Sequence, residues 1–310
     1  MAAMTDVATE LEPLTPHARV RRVEVVVNPA SGGVNPGAAG ELEAILARYD
    51  IEARVVEAKP GELEAALKSA VDAKPDVLVT LAGDGTIRAA GELCGPDGPL
   101  LIALPGGTMN MLPKALYNTT DWKKALAEAL SDGKVRNVGG GAVGDHTFYC
   151  AAIFGHPALW GEAREAIREG KFGQAWRRAR KALRRAFSGR LRFYLDDGRT
   201  EKAEAVAFLT PLISRVMDPD ETALEAASMD PQSSLDAFRM AFNFLARDWR
   251  DDPAVNTRPA RKAVLSARRA LPAILDGETV HLGRRAEVSF IPKAFRALAP
   301  ELPVPESVAT

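Results

Sequence analysis

Three aliphatic runs constrain what this chain can fold into more than any other feature: Val23-Glu-Val-Val-Val27, Val77-Leu-Val-Thr-Leu81 and Leu100-Leu-Ile-Ala-Leu104. Each is nearly continuous in apolar residues instead of alternating with polar ones, as a strand covered on both faces requires. A glycine-bearing turn follows each at once, at 28–37, 83–85 and 105–110. Behind the first turn, Leu42, Ile45 and Leu46 recur at helical spacing within 38–49, residues 53–56 form a further strand, and Pro60-Gly61 opens a helix over 62–71. Strand, glycine turn and helix in short repetition predict an α/β fold. Its core is a doubly wound parallel sheet that binds its ligand at the carboxyl ends of the strands. All three turns then face one crevice.

Past residue 138 the texture changes. Glycines at 139–141 and 144 flank short segments, and Leu191 to Leu195 followed by Asp196-Asp-Gly198 reads as a hairpin. This second region is expected to be mainly β, with helical insertions over 161–187 and 235–249. Gly139, Gly141 and Gly144 satisfy the dinucleotide-binding string, but a β-like segment follows where a helix should begin. They are therefore expected to form a turn at a domain junction. No GxxxxGK[ST] string occurs.

Composition removes several function classes. Forty Lys and Arg against 41 Asp and Glu leave no whole-protein field to attract nucleic acid, which is not expected as a partner. Cys94 and Cys150 share no ligand spacing, so neither a disulfide framework nor a zinc site is expected, and a reducing cytoplasm fits. His17, His146, His156 and His281 are scattered and read as surface or packing residues. Residues 1–19 mix acids with prolines, lack the apolar core of a secretory signal, and read as a disordered tail. No stretch has the roughly 18 apolar residues of a bilayer span, so membrane contact is expected to be peripheral.

The strongest chemical signal is Gly83-Asp84-Gly85-Thr86 directly after a predicted buried strand. Glycines let backbone N–H groups approach phosphate, the helix that follows favours anions at its start, and a carboxylate can hold Mg²⁺. The competing reading is an ordinary strand-to-helix turn. Two companions support phosphate binding: Asn28-Pro-Ala-Ser31-Gly32-Gly33 and Pro105-Gly106-Gly107-Thr108-Met109-Asn110, each supplying glycines with a hydroxyl or amide. A distal Leu275-Asp276-Gly277-Glu278 adds two acids around a turn glycine.

In this order and context the four elements resemble the catalytic domain of the diacylglycerol kinase family, which includes sphingosine and ceramide kinases. The resemblance spans roughly residues 20–300 and rests on an NPxSG loop, a GDGT loop, a PxGTxN turn and a late DGE. It implies an ATP-binding α/β domain over 20–138 and a lipid-binding, mainly β domain over 139–294. A segment over 295–310 would return to the first domain. It further implies that ATP and Mg²⁺ are cofactors, held by Asn28, Ser31, Gly32, Gly33, Gly83, Asp84, Gly85, Thr86, Gly106, Gly107, Thr108 and Asn110. Asp276 and Glu278 would reach the reacting centre from the second domain, with Asp276, then Asp84, as the general base and Asp84 organising the metal.

The implied activity is ATP-dependent phosphorylation of a primary hydroxyl on a membrane lipid, either diacylglycerol or a ceramide or sphingoid lipid. This sequence departs from the family pattern at Ala82, Arg88-Ala89, Glu57, Met111, Cys150 and Met229-Asp-Pro-Gln232. Two rival readings are an NAD kinase-like enzyme and a non-catalytic nucleotide or lipid sensor. The first shares a GGDGT loop but is less well matched by Thr108-Met-Asn110 and Asp276-Gly-Glu278.

One further stretch is distinctive. From Gly170 to Arg192 there are nine Lys or Arg and no acid, and Trp176, Ala179, Leu183 and Phe187 form one apolar stripe at helical spacing. With Arg177, Arg178, Arg180, Lys181, Arg184 and Arg185 around it, this is the pattern of an interfacial helix on anionic lipid. A core-packed helix with a solvated basic face has the same pattern. The expected location is cytoplasmic, against the inner face of the membrane.

Overall fold

The structure, a computed structural model, describes residues 20–155, 190–214, 217, 222–230 and 255–301. The predicted helices over 161–187 and 235–249, the cations Arg177, Arg178, Arg180, Lys181, Arg184 and Arg185, and His17 and His156 lie outside the described residues.

The first aliphatic run is β1 (Arg22–Val27), and β2 (Glu52–Glu57), β3 (Val77–Ala82) and β4 (Leu100–Pro105) complete a parallel set in the order β2-β1-β3-β4. The order reverses between β1 and β3, which opens a crevice at the carboxyl ends of those strands. The helices between them are α1 (Ala38–Leu46), α2 (Leu63–Asp72) and α3 (Asp84–Cys94). Every residue of β3 is buried, as its unbroken apolar run requires. Two helices that the strand-turn reading leaves out follow β4: α4 (Met111–Tyr117) and α5 (Trp122–Ser131), the latter capped by the Asp121 carboxylate accepting from the N–H groups of Lys123 and Lys124.

Twelve more strands follow: β5 (Lys134–Val143), β6 (His146–Phe148), β7 (Ala151–Gly155), β8 (Leu191–Leu195), β9 (Glu201–Ala203), β10 (Ala205–Leu209), β11 (Leu224–Met229), β12 (Val255–Ala260), β13 (Lys262–Ser266), β14 (Leu271–Leu275), β15 (Glu278–Leu282) and β16 (Arg285–Ala299). The fold is thus an α/β unit followed by a mainly β region. Six strands form an antiparallel sheet, β12-β11-β10-β7-β14-β15. Its inner face packs through Phe154 and Phe208, in edge-to-face contact at 5.7 Å, with Phe148 and Phe193 of the larger sheet in the same core.

The larger sheet does not stop at the boundary between the two regions. Strand β16, 15 residues long, has one flank on β5 and the other first on β13 and then, in parallel at Ala297↔Leu101, on β4. A register shift between Ile291 and Phe295 lets one strand serve both regions. Just past that shift, the fully buried Phe295 ring meets the Tyr149 ring edge-on at 4.9 Å. Both rings lie against Gly91 of α3, where a Cβ would come within 3.0 Å of each.

One expectation is corrected here. Gly139-Gly-Gly141 are not a junction turn but the middle of β5, and only Gly144, at φ 59°, turns. The glycines are needed because the Phe148 and Tyr149 rings lie over the strand, and a Cβ on Gly141 would collide with the Phe148 ring. Phe295→Ala, which empties the contact joining α3, β16 and Tyr149, is expected to cost about 3–5 kcal/mol. Urea denaturation would show it as a lower midpoint, with binding of small ligands to the remaining folded fraction unchanged.

Candidate functional site

The three glycine turns at the ends of β1, β3 and β4 are hydrogen-bonded to one another. The Asn28 amide Nδ2 donates to the Thr86 hydroxyl at 3.4 Å, the Gly83 N–H donates to the Ser31 hydroxyl at 3.0 Å, and the Gly33 N–H donates to the Gly106 carbonyl at 2.9 Å. The last turn is closed by Asn110, whose Oδ1 accepts from the Gly107 N–H at 2.7 Å and whose Nδ2 donates to the Gly107 carbonyl at 2.9 Å. Asn110 sits at φ 51°, a left-handed conformation that asparagine tolerates better than most residues.

Close approach explains most of the glycines. A Cβ on Gly33 would lie 3.0 Å from the Gly106 and Gly107 carbonyl oxygens, one on Gly106 would lie 2.8 Å from the Ala82 nitrogen, and one on Gly107 would lie 2.8 Å from the Gly83 Cα. These glycines are therefore required by loop-to-loop packing before any ligand is considered. Gly32 differs: it is exposed, and a Cβ there would meet nothing. Thr108 is exposed as well.

Asp84 is the first residue of α3, half-buried, and its carboxylate reaches across to the start of α4. There Oδ2 accepts from the Asn110 N–H at 2.9 Å and Oδ1 from the Met111 N–H at 2.7 Å. The side chain thus caps a helix other than its own. Burial raises its pKa, against the opposing effects of these bonds and of the Lys114 charge.

Asp276 comes from the two-residue hairpin joining β14 to β15. It and Gly277 lie at φ 47° and 88°, the left-handed pair that a tight type I′ turn demands. Its carboxylate, 8% exposed, accepts three backbone N–H groups: Tyr149 at 2.6 Å on Oδ2, and Cys150 and Ala151 at 2.8 Å each on Oδ1. Its own N–H donates to the Ala151 carbonyl. Burial raises this carboxyl too, and the three amides oppose the shift.

Asp84 and Asp276, distant in sequence, line one crevice with Arg88, Met111, Leu112, Tyr149 and Cys150. Glu278 stands at its edge. Its carboxylate lies against Gly85, where a Cβ would collide with Oε1, and its Oε2 accepts from Arg88 Nη2 at 2.7 Å. Cys150 is fully buried, with its thiol pKa raised by that burial, so it is no ready nucleophile.

The donor set suits a magnesium-bound phosphate better than a resident metal. Among the described residues no three His, Cys, Asp or Glu converge as a metal cage. Each Asp84 oxygen accepts one N–H, which leaves a lone pair on each for a cation that draws its other ligands from phosphate and water, as Mg²⁺ commonly does. His146 and His281 are exposed, on β6 and β15. Arg88, Met109 and Met111 are residues in or near the site whose parts the motifs did not reveal. Of these, Arg88 lines the crevice and Met109 packs its sulfur against Gly277.

Residues 22–143 match the family described as Diacylglycerol kinase catalytic domain. No curated protein matches the chain. Solved structures of similar fold include a diacylglycerol kinase from Bacillus anthracis str. Sterne, at 14% identity and a TM-score of 0.64. Two more from the same organism, provisionally assigned as diacylglycerol kinases, share 16% and 17% identity with TM-scores of 0.67 and 0.68. Each covers 91% of this chain and 98% of its own, and at these identities the likeness concerns the fold alone.

Two substitutions separate packing from ligand contact. Gly32→Ala should leave the denaturation midpoint unchanged or slightly raised, since a backbone that tolerates alanine gains roughly 0.4–1 kcal/mol from a less flexible unfolded chain. Any loss it causes in nucleotide binding, read by calorimetry, would report the ligand alone. Gly107→Val should instead lower the midpoint, through a loss of about 1–3 kcal/mol of stability, because its side chain must displace the Gly83 backbone.

Proposed function

We propose, from the diacylglycerol kinase catalytic domain that residues 22–143 match, that this protein transfers the γ-phosphoryl group of ATP to a primary hydroxyl on a lipid. One observation carries the reading: the GDGT aspartate, Asp84, and the DGE aspartate, Asp276, line the same crevice at the carboxyl ends of the parallel strands. ATP would lie with its phosphates along the turns bearing Ser31, Gly32, Gly33, Gly83, Gly85, Thr86, Gly106, Gly107, Thr108 and Asn110. Asn28 would support that cradle through its bond to Thr86.

Mg²⁺ held by Asp84, directly or through water, would neutralise phosphate charge. The chain's own work is then positioning and proton removal. As the acceptor oxygen bonds to the γ-phosphorus and the bond to the ADP oxygen breaks, the hydroxyl proton passes to a carboxylate. Asp276 suits that task because Oδ2 accepts only one N–H and keeps a lone pair, while burial raises its basicity.

Met111 and Leu112 give the crevice an apolar wall beside both carboxylates, which suits an acceptor whose hydroxyl sits on an apolar body. Diacylglycerol, ceramide and sphingoid bases all meet that description. Among the described residues no helix is long and apolar enough to cross a membrane. We infer that the lipid is met at the surface of the bilayer, and the cationic run over 170–192 supports docking on anionic headgroups. At its described end Arg190 is paired with Asp230 at 2.7 Å, and Arg192 lies on β8.

A turnover assay on diacylglycerol, ceramide and sphingosine, with labelled ATP and organic extraction of the product, tests the reading. Label in the organic phase supports it, and label only on a water-soluble acceptor overturns it. Asp84→Asn should abolish transfer while costing only about 1–3 kcal/mol of stability, through the lost acceptor at the start of α4. Asp276→Asn should lower kcat far more than it raises the KM for ATP. Because burial raises the Asp276 pKa, the ionised base is lost as pH falls through that raised value. The acid limb of kcat/KM should accordingly lie above the ordinary aspartate pKa of 3.8.

A further inference from the structure

Arg88 is the one cation among the described residues lining the crevice. It stands four residues after Asp84 on α3, and so on the same face of that helix. Its guanidinium donates to Glu278 at 2.7 Å, whereas Glu92, on its own helix, is 4.0 Å away. Glu278 is thereby wedged between Arg88 and the Gly85 backbone.

The other bonds of the 276–278 turn point elsewhere. Asp276 is tied to the Tyr149–Ala151 backbone on its own side of the crevice, and Gly277 meets the flexible Met109 side chain. The Arg88 contact is the polar tie between this turn and the helix that bears Asp84. The Arg88 charge also favours the ionised form of Asp276.

Magnitudes indicate what such a tie is for. With the two side chains 23% and 48% exposed, solvent screens the pair and it adds little to stability. An ångström of misplacement between reacting groups, by contrast, costs about 10²-fold in rate. We propose that Arg88 is a positioning residue: by holding Glu278 it fixes the turn carrying Asp276 against the helix carrying Asp84. This rests on the kinase reading of the crevice.

The test compares wild type, Arg88→Gln, Glu278→Gln, the double variant and Arg88→Lys. Measured are kcat and the KM for ATP with lipid in mixed micelles, the urea midpoint, and hydrogen exchange over 271–282 without substrate. Each single Gln variant should lose about tenfold or more in kcat with little change in KM or midpoint. The double variant should fall no further than the worse single, since both remove one contact. Arg88→Lys should recover most of the loss, because one N–H makes the contact. Exchange over 271–282 should rise equally in the two single variants.

Losses that multiply in the double variant would overturn the proposal. So would a rise in KM alone, which would put Arg88 on the nucleotide, or exchange that does not respond. If wild type phosphorylates no lipid yet exchange responds as expected, the kinase reading falls and takes the catalytic role of Arg88 with it, while the tie between turn and helix stands.

Discussion

A buried carboxylate, Asp276, and a half-buried one, Asp84, can share this crevice because backbone N–H groups take over the solvation that burial removes. Asp276 receives three such donors and Asp84 two. Without them, desolvation would drive each carboxyl to its neutral form, which could neither organise a cation nor accept a proton. The donors are not spare groups. Those of Tyr149, Cys150 and Ala151 lead into β7, and those of Asn110 and Met111 begin α4. The same bonds that hold the charges also close these junctions, so site and fold depend on one set of interactions.

The continuity of the larger sheet keeps the two sides of the crevice in register. A ligand cleft between separately folded regions would depend on whatever interface they made. Here β16 hydrogen-bonds with strands of both, and the Tyr149 and Phe295 rings anchor α3 at the point of transition. Gly91 permits this anchoring as Gly33, Gly106 and Gly107 permit the turns to touch: a side chain at any of them would push apart surfaces that must meet. Glycine in this protein is as much a packing residue as a turn-forming one.

The lipid kinase activity proposed above is consistent with that arrangement. Carboxylates held in place by backbone need no reorganisation as charge develops during transfer, which is where an enzyme of this kind gains most of its rate. The apolar wall of Met111 and Leu112 and Arg88, the single lining cation among the described residues, give the crevice a character that the shared motifs alone would not predict.

Much was legible in the sequence. Continuous aliphatic runs such as Val77 to Leu81, bounded by turns, read as buried strands, the glycine turns behind them mark the carboxyl edge, and the glycine of the DGE tripeptide marks a turn. Those are local properties, set by neighbours in the chain. Helices α4 and α5 were not legible, because short, unevenly patterned segments take their structure from what they pack against. Nor was the place of Gly139 to Gly141 in β5, which depends on the Phe148 and Tyr149 rings lying over the strand. The sequence alone singled out Asp84 and Asp276, which the fold brings to one crevice. Only the tertiary structure decided that Asp84 caps a helix it does not belong to, that Asp276 is held by the 149–151 backbone, and that Arg88 faces Glu278, since each is a contact between segments that only long-range strand pairing brings together.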